Sequence, residues 1–166
     1  MISKFFDKKN LKLFAFIPAI IMMVIIWGFS GSDANDSGKL SLEVTKRIVD
    51  IGNKVFKHGT LTTEEKDALV SKLHTPVRKC AHMTEYALLA ICIFLPLTLY
   101  IKEYSKVFNA TVMFCVFYAS TDEFHQIFVE GRAGRLTDVM IDSVGILLAS
   151  IILLFILNKK KNKITL

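Results

Sequence analysis

Four apolar runs constrain the fold of this chain more than any other feature of its sequence. A helix needs about 20 mostly apolar residues to cross a hydrocarbon core of about 30 Å. In lipid the backbone polar groups must be paired within the segment, so each run is expected to be helical. The runs cover residues of about 13–29, 83–101, 107–121 and 139–157. The sequence therefore predicts an all-α, polytopic membrane bundle of about four transmembrane helices, forming a single domain over residues 1–166.

The third run is the shortest of the four, and its length is marginal for a membrane crossing. It reaches the required length if its helix continues into residues 122–128. The short link before this run carries Lys102, Glu103 and Lys106. A short lysine-bearing link is typical of the cytoplasmic side of a membrane.

Composition and charge support a membrane protein and predict its orientation. Hydrophobic residues make up 52% of the chain, which is too many for an ordinary soluble domain. Lysines gather at both ends of the chain and contribute much of the net charge of +6. Such clusters are expected beside anionic lipid on the cytoplasmic side. With four spans, both termini would be cytoplasmic. Membrane lipids are the expected partners, and nucleic acid is not.

The polar segment at residues 30–78 is predicted to be an extracytoplasmic loop with short amphipathic helices. The first runs from Ser41 to about Lys57, with its apolar residues in one broad stripe. Two roles remain open for this helix: it lies on the membrane surface, or it caps the extramembrane end of the bundle. The residues from Thr62 to Glu65 fit a capping box that opens a second helix.

The helix of the second span is predicted to begin at Thr75 and Pro76. Thr75 suits the N-cap, and Pro76 suits the first helical position, where its missing N–H costs nothing. The helix would run to about Ile101, with a kink at Pro96. On this prediction His74, like His58, is a solvated side chain outside the helix.

Charged and polar side chains gather where three of the predicted spans meet one membrane face. These places are the start of span two, the end of span three and the start of span four. A charged side chain near hydrocarbon costs several kcal/mol, so such residues pair with one another or mark a site. The candidate site residues are Arg78, Lys79, His82, Glu85, Asp122, Glu123, His125, Gln126, Arg132, Asp138 and Asp142.

One interpretation is a polar pocket for a lipid with a phosphate or sugar headgroup. Arginine and lysine side chains suit phosphate, and a histidine beside a carboxylate suits proton transfer. The binding residues would be Arg78, Lys79, Glu123, Gln126, Arg132, Asp138 and Asp142, with Arg135 as a further phosphate ligand or a solvated rim residue. The hypothetical acid and base residues would be His82, Glu85, Asp122 and His125.

Two other interpretations use the same residues. In a structural clamp, Arg78 and Arg132 would each pair bidentately with Asp122, Asp138 or Asp142. A metal-dependent membrane hydrolase would use histidine and carboxylate ligands instead. The nearby arginines compete for those carboxylates and no HExxH pattern is present, so no metal or other cofactor is predicted.

Three residues near the site have structural interpretations. Trp27 and Tyr86 are expected to be aromatic anchors at the membrane interface. Gly145 is expected to allow two helices to pack closely, as small residues do in membranes.

The motifs of this cluster resemble those of the VanZ-like family of membrane proteins. The resemblance includes Ser30-Gly31-Ser32 after the first span. It rests mainly on RKCAHMTEY at 78–86, DEFHQ at 122–126, GR at 131–132 and D-x-x-x-D-x-x-G at 138–145.

The resemblance implies a small multi-pass protein of the bacterial cytoplasmic membrane. The namesake of the family is an accessory of glycopeptide-resistance clusters that raises tolerance to teicoplanin, a lipid-anchored glycopeptide. A lipid-linked cell-wall precursor or a lipoglycopeptide is therefore a candidate partner, and the resemblance implies no particular reaction.

Overall fold

Five long helices make up most of the computed structural model, which describes residues 12–31, 34–129 and 134–164. No strand is present in these ranges, so the prediction of an all-α fold is confirmed. The helices are α1 (Ile17–Gly31), α2 (Ala34–Phe56), α3 (Thr63–Leu97), α4 (Tyr104–Gln126) and α5 (Leu136–Ile164).

Three helical segments are long and apolar enough to cross a membrane, judged on the described residues alone. They are Lys12–Gly31, Thr63–Leu97 and Leu136–Lys163. Helix α4 is about 35 Å long, which is sufficient, but it is less apolar and does not belong to this set. As expected, α4 continues past the third apolar run through Gln126. A count of four crossings stays a prediction.

Contacts at the two ends of the bundle show how the helices run. At one end, the Lys12 Nζ donates to the Leu99 carbonyl at 3.3 Å, and the Lys161 Nζ lies 6.0 Å from the centre of the Tyr104 ring. At the other end, the Trp27 ring lies 4.2 Å from the His125 ring. Helices α1 and α4 therefore run in one direction, and α3 and α5 run in the other.

The core of the bundle lies between α3 and α5, with α1 and α4 against them. Its buried residues are Ala19, Ile26, Tyr86, Leu89, Ala90, Ile93, Cys115, Ala119, Val139, Ile146 and Ala149. Tyr86 is fully buried in this core, so its interpretation as an interface anchor is wrong. At Gly145, a Cβ atom would collide with the carbonyl oxygen of Met83 on α3. The predicted role of Gly145 in close packing is confirmed.

Helix α3 is continuous over 35 residues, contrary to the prediction that a new helix begins at Thr75 and Pro76. The capping box is confirmed: the Thr62 side chain accepts from the Glu65 N–H at 3.3 Å, and the Thr62 N–H donates to Glu65 Oε2 at 2.9 Å. Pro76 lies inside the helix, where it removes one backbone hydrogen bond. The helix tolerates this loss because α2 packs along the same region.

The far end of α3 also differs from the prediction. The helix ends at Leu97 and not at Ile101, so Pro96 lies in its last turn. Its whole length is about 52 Å, which is longer than a hydrocarbon core of about 30 Å. The more polar N-terminal part of α3 therefore extends beyond the layer that the apolar part can span.

Helix α2 packs on this extending part of α3. Thr45, Val49 and Asn53 form its buried face. Outside that face, Lys66 of α3 pairs with Asp50 of α2 at 3.0 Å. Helix α2 begins at Ala34, earlier than the predicted Ser41. The contacts agree with a helix that covers the end of the bundle.

We expect Gly145→Leu to destabilise the protein by about 1 to 3 kcal/mol or more, because the new side chain must displace the Met83 backbone. Thermal unfolding in detergent measures the effect as a lower Tm. Gly52→Leu is the matched control, since a Cβ there meets nothing within 4 Å. Equal Tm values for Gly145→Leu and the wild type would contradict the close packing of α3 and α5.

Candidate functional site

Continuity of α3 places a row of polar side chains on one face of that helix. His74, Arg78 and His82 follow one another at intervals of four residues, and Glu85 comes three residues later. Residues three and four apart lie above one another on a helix. His74, Arg78 and His82 face the end of α4 and the start of α5, where other predicted site residues lie, whereas Glu85 faces a second space beside α1 and α2.

A polar cavity of about 260 Å³ lies between these three helices. Its lining combines cationic, imidazole, carboxylate and amide side chains. The lining residues are His74, Thr75, Arg78, Lys79, His82, Glu123, Gln126, Arg135, Asp138, Ile141 and Asp142. Seven of the predicted site residues are thus brought together around one space: Arg78, Lys79, His82, Glu123, Gln126, Asp138 and Asp142.

Two contacts join α5 and the segment before it to the other helices. Lys79 Nζ lies 3.0 Å from Asp138 Oδ1, and both side chains are partly exposed. The Arg135 backbone N–H donates to Glu123 Oε2 at 2.9 Å. This second contact depends on Gly134, where a Cβ would collide with the Glu123 carbonyl oxygen. Glycine at position 134 therefore lets the chain pass close to the end of α4.

Arg78 differs from the neighbouring Lys79, which pairs with Asp138, in having no ion-pair partner among the described residues. It is half-buried, and it lies in the cavity near His82. Within the described part of the chain, no carboxylate forms an ion pair with Arg78, and its guanidinium donates no hydrogen bond. The predicted bidentate pairing of Arg78 with Asp122, Asp138 or Asp142 is therefore wrong. The guanidinium fork remains available to a ligand in the cavity.

His82 lies between carboxylates of two helices. Its Nδ1 is 3.4 Å from Glu85 Oε2 on its own helix, and each of the two side chains is 25% exposed. Asp142 of α5 is also close to the His82 ring, and it is buried. A histidine with carboxylates nearby can accept and donate a proton, so the arrangement is chemically suited to acid and base roles.

Asp122 is buried beneath the cavity and does not line it. The Gln126 Nε2 donates to Asp122 Oδ2 at 3.4 Å. Ser30 of α1 and Tyr86 of α3 lie next to the same carboxyl. In the described part of the chain, neither of these two hydroxyls has a partner with good hydrogen-bond geometry. Asp122, Ser30 and Tyr86 thus form a buried polar cluster that links three helices.

His125 faces away from the cavity, although the sequence grouped it with the acid and base residues. Its ring stacks on Trp27 with an angle of 22° between the planes. A Cβ at Gly31 would also lie 3.4 Å from His125 Cε1. His125 therefore contacts α1 and does not line the polar cavity. Trp27 packs against this ring, which goes beyond its predicted role as an interface anchor.

Two arginines were candidates in the segment before α5. Arg132 lies outside the described residues, so its predicted role stays a prediction. Arg135 lines the cavity and is exposed, which agrees with a position at its rim.

His74 is the site residue that the sequence analysis missed. It was interpreted as a solvated side chain, but it lines the cavity, and its Nε2 lies 2.8 Å from the Ser41 hydroxyl of α2. The sequence feature that could have identified His74 was the spacing of four residues from His74 to Arg78 and from Arg78 to His82. It was overlooked because the helix was predicted to begin one residue after His74.

Among the residues that the structure describes, no group of three or more His, Cys, Asp or Glu side chains is arranged to hold a metal ion.

Comparison with known proteins gives one match. The family model described as VanZ/LLP1 matches residues 14–157, which is most of the chain. No curated protein and no solved structure shows a significant similarity to the chain. The matched range includes α1 to α4, most of α5 and every predicted site residue. The chain therefore belongs to the VanZ/LLP1 family of membrane proteins.

Proposed function

We propose that the polar cavity binds the phosphate-bearing headgroup of a membrane lipid or lipid-linked envelope component. The observation that carries this proposal is the half-buried guanidinium of Arg78 in the cavity, which has no ion-pair or hydrogen-bond partner among the described residues. A buried or half-buried charge without a partner is costly, and a bound phosphate would remove that cost. Arginine also offers a planar fork of donors that fits two phosphate oxygens at once.

The charges around Arg78 describe the kind of headgroup that would fit. Lys79 and Arg135 place two further cationic groups at the cavity. Glu123 and Asp142 place acceptor oxygens in the same space. A headgroup with a phosphate and with hydroxyl or amine donors would pair with both the cationic groups and the acceptor oxygens. A lipid-linked cell-wall precursor has both the phosphate and such donors and is therefore the candidate ligand, whereas a teicoplanin-like lipoglycopeptide has the donors without the phosphate.

An enzymatic role would use the imidazole that lines this cavity. His82 lies beside Glu85 and Asp142, so it can exchange a proton with a ligand held by Arg78. Glu85 would orient the His82 ring. Asp122 would act through the buried polar cluster that it forms with Ser30 and Tyr86. We propose binding as the primary function and proton transfer by His82 as the step that would turn binding into catalysis.

A structural clamp is the second candidate function, and one observation favours it. The ion pair between Lys79 and Asp138 joins α3 to α5, as a clamp would. That pair is partly exposed, and pairs of this kind contribute little, typically about 0 to 1 kcal/mol. The clamp also leaves Arg78 unexplained. The headgroup site accounts for both Arg78 and Lys79.

The orientation of the bundle is part of the proposal. Helix α4 follows α5 from Tyr104 near Lys161 to the cavity. If α5 crosses the bilayer, α4 crosses beside it, and the termini lie on one side. The lysines at both ends support a cytoplasmic location for that side. The cavity would then face the outer leaflet of the bacterial cytoplasmic membrane.

The orientation can be tested with single cysteines in a variant that lacks the three native ones. Lys57→Cys lies in the exposed turn between α2 and α3, and Lys102→Cys lies in the exposed link between α3 and α4. We expect an impermeant maleimide to label position 57 in intact cells and position 102 only after lysis. The reverse pattern would invert the proposed orientation, and labelling of both positions in intact cells would contradict a crossing by α3.

The headgroup site can be tested by native mass spectrometry of lipids that copurify with the protein. We expect a phosphate-bearing lipid on the wild type and about tenfold less of it on Arg78→Ala, since one charged hydrogen-bonding partner contributes roughly 1.5 to 3 kcal/mol. Arg47→Ala is the control, because Arg47 is exposed on α2 and pairs with Glu43. Equal lipid retention by all three folded proteins would contradict the proposal.

Catalysis can be separated from binding in the same samples. We expect His82→Gln to retain the lipid, because the phosphate is held by Arg78. If the protein is an enzyme, incubation of the wild type will convert the lipid and incubation of His82→Gln will not.

A further inference from the structure

A second cavity lies next to the polar one and has a different character. It has a volume of about 140 Å³, and almost all of its lining surface is apolar. Its apolar walls are formed by Phe29 of α1, Leu40 and Val44 of α2, and Val77 and Ala81 of α3, and its polar lining residues are Ser41, Arg78, His82 and Glu85. We refer to this space between α1, α2 and α3 as the apolar groove.

The apolar groove and the polar cavity share part of their walls. Arg78 and His82 line both spaces. Val77 and Ala81 are on the groove side of these two residues along α3, and Lys79 is on the side of the polar cavity. A ligand that contacts Arg78 can therefore extend into either space. One direction offers hydrogen-bonding groups, and the other offers hydrocarbon.

The groove lies where the apolar part of the bundle ends. Phe29 is near the end of Lys12–Gly31, one of the segments long and apolar enough to cross a membrane. Leu40 and Val44 belong to an exposed apolar stripe of α2, and they are 56% and 44% exposed. An apolar surface of this kind at the end of a membrane-length helix is suited to a hydrocarbon chain and not to water.

We propose that the apolar groove holds the hydrocarbon chain of the ligand whose phosphate lies in the polar cavity. Arg78 and His82 then lie where the headgroup of the ligand joins its hydrocarbon chain. This inference rests on the proposed function and deepens it, because it assigns the ligand to the amphiphiles. A free phosphate or a soluble phosphate ester would leave the apolar groove unfilled.

The chain preference can be tested with ethyl phosphate and dodecyl phosphate, added to purified protein in detergent at a fixed ratio to detergent. Ala81→Phe narrows the groove, and because Ala81 is exposed the new ring does not enter the core. We expect this variant to bind dodecyl phosphate about tenfold or more weakly than the wild type, since several buried CH₂ groups lose their contacts. Binding of ethyl phosphate should be unchanged. Each compound partitions into the detergent micelles to the same extent for every variant. This partitioning therefore does not affect the comparison between variants.

Three further variants complete the experiment. Val44→Phe narrows the groove from α2 and should repeat the pattern of Ala81→Phe. Leu88→Phe changes a side chain of α3 that is 45% exposed outside the groove, and it should bind both compounds as the wild type does. Arg78→Ala should lose both compounds.

The outcomes separate the two proposals. If Ala81→Phe and Val44→Phe bind dodecyl phosphate as well as the wild type, or lose both compounds equally, the groove does not hold the chain. The headgroup site would stand in that case, provided that Arg78→Ala loses both compounds. If Arg78→Ala binds both compounds normally, or the wild type binds neither, the proposed function fails and the groove inference fails with it.

Discussion

The cost of placing charge beside hydrocarbon is the constraint on which this structure depends. Asp122, Glu123 and Asp142 are buried at the end of an apolar bundle. An ion removed from water costs several kcal/mol unless other groups compensate. Glu123 receives a backbone N–H from the segment before α5, and Asp122 receives the Gln126 amide. The contact to Glu123 also joins the segment before α5 to the end of α4, whereas the Gln126 contact lies within α4.

Close backbone packing makes the space in which these charges meet. Gly145 brings α3 and α5 together below the site, and Gly134 brings the chain onto α4 above it. The helices separate between these two contacts, where the polar cavity lies. Arg78 enters that cavity without a partner from the described residues. Stability and binding are therefore divided between neighbouring residues: Glu123 Oε2 accepts a hydrogen bond from the protein backbone, and the Arg78 guanidinium is left for a ligand.

Much of this fold could be predicted from the sequence because lipid leaves few alternatives to a helix. The all-α fold, the capping box at Thr62 and the packing role of Gly145 were all confirmed. The convergence of the polar motifs at one end of the bundle followed from counting helix directions. These features depend on local patterns or on simple topology.

The remaining features depend on tertiary packing, which the sequence does not display. Support from α2 lets α3 continue through Pro76, and without that knowledge His74 was assigned to a loop. The rotation of α4 about its axis directs His125 to Trp27 and Asp122 to the buried cluster. The rotation of a membrane helix is difficult to predict from the spacing of its apolar residues. Both the core and the lipid are apolar, so apolar residues occur on both sides of the helix. For the same reason, Tyr86 was interpreted as an interface residue although it is buried.

The central claim is that a phosphate group lies against Arg78, and solid-state NMR can measure this contact directly. Protein with ¹⁵N-labelled arginine would be reconstituted with the lipid that copurifies, and ³¹P dephasing of the guanidinium signals recorded. A charge-assisted contact places phosphorus within about 4 Å of a guanidinium nitrogen. We predict strong dephasing in the wild type and in Arg47→Lys, and its loss in Arg78→Lys. Unchanged dephasing in Arg78→Lys, or none in the wild type, would contradict the account.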